Sequence, residues 1–161
     1  MPSIPGEFGR RDSAPYIRVT LEVQGIKFGE FPFLVDTGSL HLILIYQQGL
    51  LPYDLLHLVE TWPEELLSGL GGDRMARRIG TAILYVNDEN GQVIPIETDP
   101  RGPLYMILYD PLKPEDSYLK YLPKGILGFQ NATFGMSLLH VDNANQKVQL
   151  DFQEPSTPSI F

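Results

Sequence analysis

Phe31-Pro32-Phe33-Leu34-Val35-Asp36-Thr37-Gly38-Ser39 sets one acidic side chain at the end of an apolar run, where a glycine lets the backbone turn. A carboxylate leaving a buried strand is costly unless hydrogen bonds or a partner charge compensate it. Groups kept at such a cost concentrate at functional sites, which makes Asp36 the first candidate. The plainer alternative is a turn-forming Asp, because Asp-Thr-Gly also suits a tight turn.

Working outward, Tyr16 to Gln24 alternates Ile17, Val19, Leu21 and Val23 with polar or aromatic residues, the pattern of a half-buried strand. Gly25 to Gly29 is expected to turn, and Glu30 to Val35 to return as the strand delivering Asp36. Leu40 to Tyr46 is an apolar run that continues the sheet behind that loop. Leu55, Val59, Trp62 and Leu66 have helical spacing, and Thr61 three before Glu64 forms a capping box with Pro63 in the first turn. That predicts two short helices, the second stopped by Gly69. Arg77 to Val86 and Gln92 to Thr98 flank Asn87-Asp88-Glu89-Asn90-Gly91, a hairpin signal. Leu104 to Tyr109 is another strand, followed by an exposed proline-stiffened loop over Asp110 to Ser117. Met136 to Val141 and Lys147 to Phe152 make a second hairpin. Residues 1–15 are expected to be a flexible arm, 16–152 the folded domain and 153–161 a polar tail.

Three signals occur in order: FLVDTGS, then Gly69-Leu70-Gly71-Gly72, then Gly125-Ile126-Leu127-Gly128. With the closing strand Val148 to Phe152, this order resembles the retropepsin-like, single-lobed aspartic proteases over most of the chain. The resemblance implies a mainly β fold, a closed acid-protease barrel of the retropepsin type with a short helical insertion before the flap. It makes Asp36 the catalytic residue and Thr37 the hydroxyl that locks two catalytic loops together. Gly38 would bring a backbone N–H to the carboxylate, and Ser39 would donate its hydroxyl there, the plainer alternative for Ser39 being simple turn chemistry. It makes Gly69, Leu70, Gly71 and Gly72 the flap tip, a hairpin that closes over substrate. Leu34, Leu70, Ile126 and Leu127 become candidate pocket walls, with Gly128 backing the catalytic loop beside the substrate. The chain departs from the family where Arg commonly follows that glycine and pairs with an Asp in the loop. Here Phe129 and Leu40 stand at those places, so the ion pair is not carried over.

No second Asp-Thr/Ser-Gly occurs in the chain. Peptide hydrolysis by this chemistry needs two carboxylates about 3 Å apart sharing one proton. The ionised member takes a proton from water while the protonated one polarises the scissile carbonyl. One chain therefore needs a second copy, and a two-fold homodimer would set Asp36 against its own equivalent. The implied partner is itself, and the implied substrate a peptide or protein held in extended form by β-strand addition. The alternative is a non-catalytic module that keeps the fold for dimerisation or peptide binding.

The 161 residues, 43% of them hydrophobic, suffice for one domain with a real core. A formal net charge of −8 argues against nucleic acid as a partner, which needs clustered Lys and Arg. Arg74, Arg77 and Arg78 are expected on a solvated flap face. With no cysteine there is no thiol nucleophile or disulfide, consistent with a cytoplasmic location. His41, His57 and His140 lack metal-ligand spacing, and neither G-x-S-x-G nor H-E-x-x-H occurs, so no cofactor or metal is expected. No run approaches the roughly 18 apolar residues of a membrane span. Asn131-Ala132-Thr133 matches a glycosylation sequon but carries little weight without a secretion signal.

Overall fold

A computed structural model describes residues 3–68, 73–134 and 138–151. The chain is mainly β. Its first strands are β1 (Ser3–Phe8), β2 (Pro15–Val23), β3 (Ile26–Asp36) and β4 (Leu42–Gln47). A short helix α1 (Tyr53–Leu56) and a 3-10 turn (Val59–Thr61) precede β5 (Glu64–Leu67) and β6 (Arg74–Gly80). Then follow β7 (Ile83–Asn87), β8 (Val93–Glu97), β9 (Leu104–Tyr109) and a 3-10 helix over Pro114–Tyr121. The chain continues with β10 (Gly125–Gly128), a 3-10 turn at Ala132–Phe134, β11 (Leu138–Asp142) and β12 (Lys147–Asp151).

Hydrogen bonding orders most of these strands β11-β12-β1-β2-β3-β10-β4-β9-β6-β5, with β7 on the far half of β2 and β8 beyond it. Among the described residues this ladder has ends at β11 and β5, so the pairing does not close the barrel that the resemblance implies. The end at β5 has a local reason. That strand is four residues long and follows Pro63, which has no N–H to offer another strand.

The centre of the sheet explains itself from the sequence. β10 lies parallel to β3 and antiparallel to β4, and β4 lies parallel to β9. All of Leu42, Ile43, Leu44 and Ile45 are buried, as the unbroken apolar run demands of a strand covered on both faces. Side chains alternate between two clusters. Leu42, Leu44, Leu104, Met106 and Leu127 join the larger core with Phe33 and Val35. Ile43, Ile45, Ile107 and Ile126 join the smaller one with Leu67 and Ala76. In the register of β3 and β10, Leu34 pairs with Ile126 and Asp36 with Gly128. Asp36 therefore leaves the sheet on the face of the smaller cluster.

Several expectations give way to packing. Residues 3–8 are no flexible arm: β1 pairs with both β12 and β2, Ile4 is buried, and the Ser3 hydroxyl donates to Asp151 at 2.7 Å. The polar tail 153–161 lies outside the described residues. The turn between β2 and β3 is only Gln24-Gly25, both at positive φ, and Ile26 to Gly29 already belong to β3. The strand expected over Arg77 to Val86 is broken after Gly80, which also has positive φ. The second predicted helix does not form. The Thr61 hydroxyl donates to the Leu58 carbonyl, while Glu64 lies opposite Arg77 on β6 and pairs with it at 2.9 Å. A residue before proline is disfavoured in helical geometry, and this cross-strand ion pair gives Glu64 a better partner in a strand. The two expected hairpins, β7–β8 and β11–β12, are present.

The segment after β9 is not an exposed loop throughout. Asp116, 6% exposed, forms an ion pair with Arg74 and accepts the Asp110 N–H at 3.1 Å. Arg77 and Arg78 are likewise engaged, by Glu64 and Glu65, so this basic stretch is a set of cross-strand pairs and not a freely solvated face. Among the described residues no helix is long and apolar enough to cross a membrane.

Candidate active site

Asp36 is the last residue of β3, half-buried, with one carboxylate oxygen accepting the Gly38 N–H at 3.0 Å. That bond compensates part of the cost of holding a carboxylate at a strand end. The turn closes through the Ser39 N–H, which donates to the Asp36 carbonyl at 3.3 Å. The Ser39 hydroxyl does not reach the carboxylate as expected. It accepts the His41 N–H at 3.1 Å, a local turn bond.

The end of β10 straps this loop down. The Phe129 N–H donates to the Asp36 carbonyl at 2.9 Å, the Gln130 N–H to Ser39 at 3.1 Å and the Gln130 side-chain amide to Thr37 at 3.0 Å. The Asn131 amide donates to Leu40 at 3.1 Å, and the Gly128 N–H to His41 at 2.9 Å. Each backbone turn of the loop is thereby answered from one neighbouring segment. Gly128 is required by this closeness. A Cβ there would sit 2.4 Å from the His41 carbonyl oxygen and 2.7 Å from that of Ser39. Asn131 also accepts the Thr133 N–H and is buried, so its amide is structural and no glycan acceptor.

A cavity of about 290 Å³ opens beside Asp36 and Gly38. Its other walls are Ser39, Leu40, His41, Ile43, Ser68 and Ile126. Ile126 is one of these walls. Leu127 is not: at 1% exposure its side chain lies in the larger core, behind the loop. Gly128 is also buried and supports the loop backbone. Leu34 shares the face of Asp36 but is not among the residues around this cavity. Leu40 is 61% exposed beside the site, while Phe129 packs against the larger core, so no charged pair stands at these two places. Thr37 is exposed at the tip of the loop.

β5 and β6 form an antiparallel hairpin in which Leu67 lies opposite Arg74 and the Ser68 hydroxyl donates to Asp73 at 2.7 Å. Gly69, Leu70, Gly71 and Gly72 lie outside the described residues, between the two ends of this stem. The stem is anchored to the sheet. Tyr105 on β9 donates to Glu65 at 2.7 Å, and the His41 ring stands edge-on to Tyr105 at 6.1 Å between centroids. Burial first, then the Glu65 carboxylate, pushes the Tyr105 hydroxyl up from its ordinary value, which keeps it a donor.

Sequence reasoning missed His41, Ser68, Tyr105 and Glu65. His41 was available to it, because it stands five residues after Asp36 in the same loop. Tyr105 and Glu65 meet only through the pairing of β9 with β6 and of β6 with β5.

No protein-family model matches the chain, and no curated protein matches it. Among solved structures it is similar to the crystal structure of a retropepsin-like aspartic protease from Rickettsia conorii. That similarity spans 93% of this chain and 90% of that one, with 16% identity and a TM-score of 0.41. A likeness of this degree does not bear on the chemistry of the site, which rests on its own geometry.

Proposed function

We propose that this chain is an aspartic endopeptidase of the retropepsin type, active as a homodimer. The observation that carries the reading is the half-buried Asp36 carboxylate, held by Gly38 in a loop strapped from β10 and open to a cavity that Ser68, just after β5, also lines. A turn-forming Asp needs none of that surrounding. In the dimer, Asp36 and the partner's Asp36 share one proton and hold the attacking water between them. The ionised carboxylate takes a proton from that water, and the protonated one polarises the scissile carbonyl. Exposed Thr37 is available at the two-fold axis to brace the loops.

The test is Asp36→Asn, which preserves shape but cannot share the proton. Cleavage of a peptide mixture should fall at least about a hundredfold, the usual cost of losing general acid–base catalysis. Thermal unfolding should stay close to that of the parent. Equal cleavage by both proteins would overturn the assignment. A folded, dimeric parent without any cleavage would favour the non-catalytic peptide-binding module.

A further inference from the structure

The cavity beside Asp36 has a mixed lining. Buried Ile43 and Ile126 give it apolar walls, and Ser39, His41 and Ser68 bring polar atoms. The Ser68 hydroxyl donates to Asp73, and the Ser39 hydroxyl, tied to the loop by accepting the His41 N–H, keeps only its O–H. The imidazole differs. Among the described residues neither ring nitrogen of His41 has a hydrogen-bond partner, and its neighbour is the Tyr105 ring, met edge-on. Its backbone is fixed on both sides, the N–H to Ser39 and the carbonyl from Gly128. The ring therefore stands at a cavity wall on a fixed backbone, with its polar atoms unspent.

A half-buried polar group loses its water when a ligand covers it, and the loss is recovered only if the ligand supplies a partner. An aliphatic side chain entering this cavity would strip the imidazole and return nothing. A side-chain carbonyl would accept its N–H while its methylene groups meet Ile43 and Ile126. A carboxylate would do the same but would bring a second negative charge beside Asp36. We infer that this cavity is a subsite next to the scissile bond, in which His41 selects a neutral side chain with a carbonyl acceptor, Asn or Gln, over an aliphatic one. This rests on the endopeptidase reading and names the substrate class that follows from it. One neutral hydrogen bond in a partly open site gives a preference of about tenfold.

The experiment digests one proteome-derived peptide library with the parent, His41→Leu, His41→Gln and Asp36→Asn proteins, and reads the cleaved sequences by mass spectrometry. For the parent, Asn and Gln should be enriched about tenfold over Leu and Val at one position within two residues of the cut. His41→Leu should invert that ratio at the same position. His41→Gln, which keeps an N–H donor, should retain it, and a merely structural role for the ring predicts no such rescue. Parent and His41→Leu profiles that coincide would overturn this inference while leaving the endopeptidase reading intact. Enrichment of Asp and Glu in the parent would also overturn it, in favour of a charge-selecting pocket. Cleavage that persists in Asp36→Asn, or is absent from the parent, would overturn the endopeptidase reading and this inference with it.

Discussion

At Gly128 the requirement is steric and local. The nearest atoms to an added Cβ are backbone atoms of Ser39 and His41, which cannot rotate aside as a side-chain end would. Gly128→Ala should therefore destabilise the fold by about 1–3 kcal/mol, the usual cost of overpacking, and displace the loop that carries Asp36. Urea denaturation measures the first effect and peptide cleavage the second, and both should fall together. Ser39 has a different weight. Its oxygen accepts one backbone N–H within the turn, so Ser39→Ala should cost about 0.5–1.5 kcal/mol. Because the bond seen at that hydroxyl is to the turn, and the bond to the Asp36 carboxylate comes from Gly38, the cleavage-rate pH profile of Ser39→Ala should overlay that of the parent. An upward shift of the profile would return Ser39 to the carboxylate. The sequence showed that Ser39 belonged to this loop but not which of two acceptors or donors it would meet. Both roles use the same residue at the same spacing, and only the position of the His41 N–H decides between them.

The Arg74–Asp116 pair operates between elements, joining the first residue of β6 to the 3-10 helix after β9. Burial alone would raise the Asp116 pKa. The Arg74 hydrogen bond, the Asp110 N–H and the nearby charges of Arg74 and Lys113 outweigh it and hold the carboxyl below its ordinary value of 3.8. A depressed carboxyl pKa contributes stability that is present above the unfolded value and is lost as pH falls through the folded one. Asp116→Ala should destabilise by about 2 kcal/mol or more at neutral pH. That falls short of the ~3–5 kcal/mol for breaking a fully enclosed pair, because Arg74 keeps some exposure. Urea midpoints measured from pH 7 down to pH 2 should converge for parent and variant below about pH 4. A constant gap across that range would mean the carboxylate charge is not what stabilises the junction. This junction was hidden in the sequence. Asp110 to Ser117 has the composition of a solvated loop, and its buried acid is explained by an arginine 42 residues earlier. The strand beginning at Glu64 was hidden for a similar reason, since a capping-box pattern competes with a cross-strand ion pair that exists only once β6 is in place. Local periodicity sufficed where burial is dictated by the strand itself, as in β2, β4 and the end of β3. It failed where a distant partner changes the cost of burying a charge or of leaving a helix.

For the whole molecule, everything turns on one Asp36 per chain against a chemistry that needs two carboxylates. The strapped loop presents its exposed Thr37 outward, and none of the hydrogen bonds of the loop brings a second carboxylate to Asp36. The proposed site is therefore half of a site. An isologous dimer would supply the other half from the same residue of a second copy. Specific activity should consequently fall as the protein is diluted below its dimer dissociation constant. Mixing gives a sharper discrimination. When equal amounts of the parent and Asp36→Asn chains are allowed to exchange, only dimers of two parent chains retain both carboxylates. At saturation of the dimer, activity per total chain should then drop to about a quarter of that of parent protein alone, the share of parent–parent pairs under random assortment. If each chain worked alone, the same mixture would keep about half its activity. A value near one half, with exchange verified by native mass spectrometry, would overturn the shared dyad while leaving Asp36 essential. A value near one quarter would require that two copies of the strapped loop meet at a single active site.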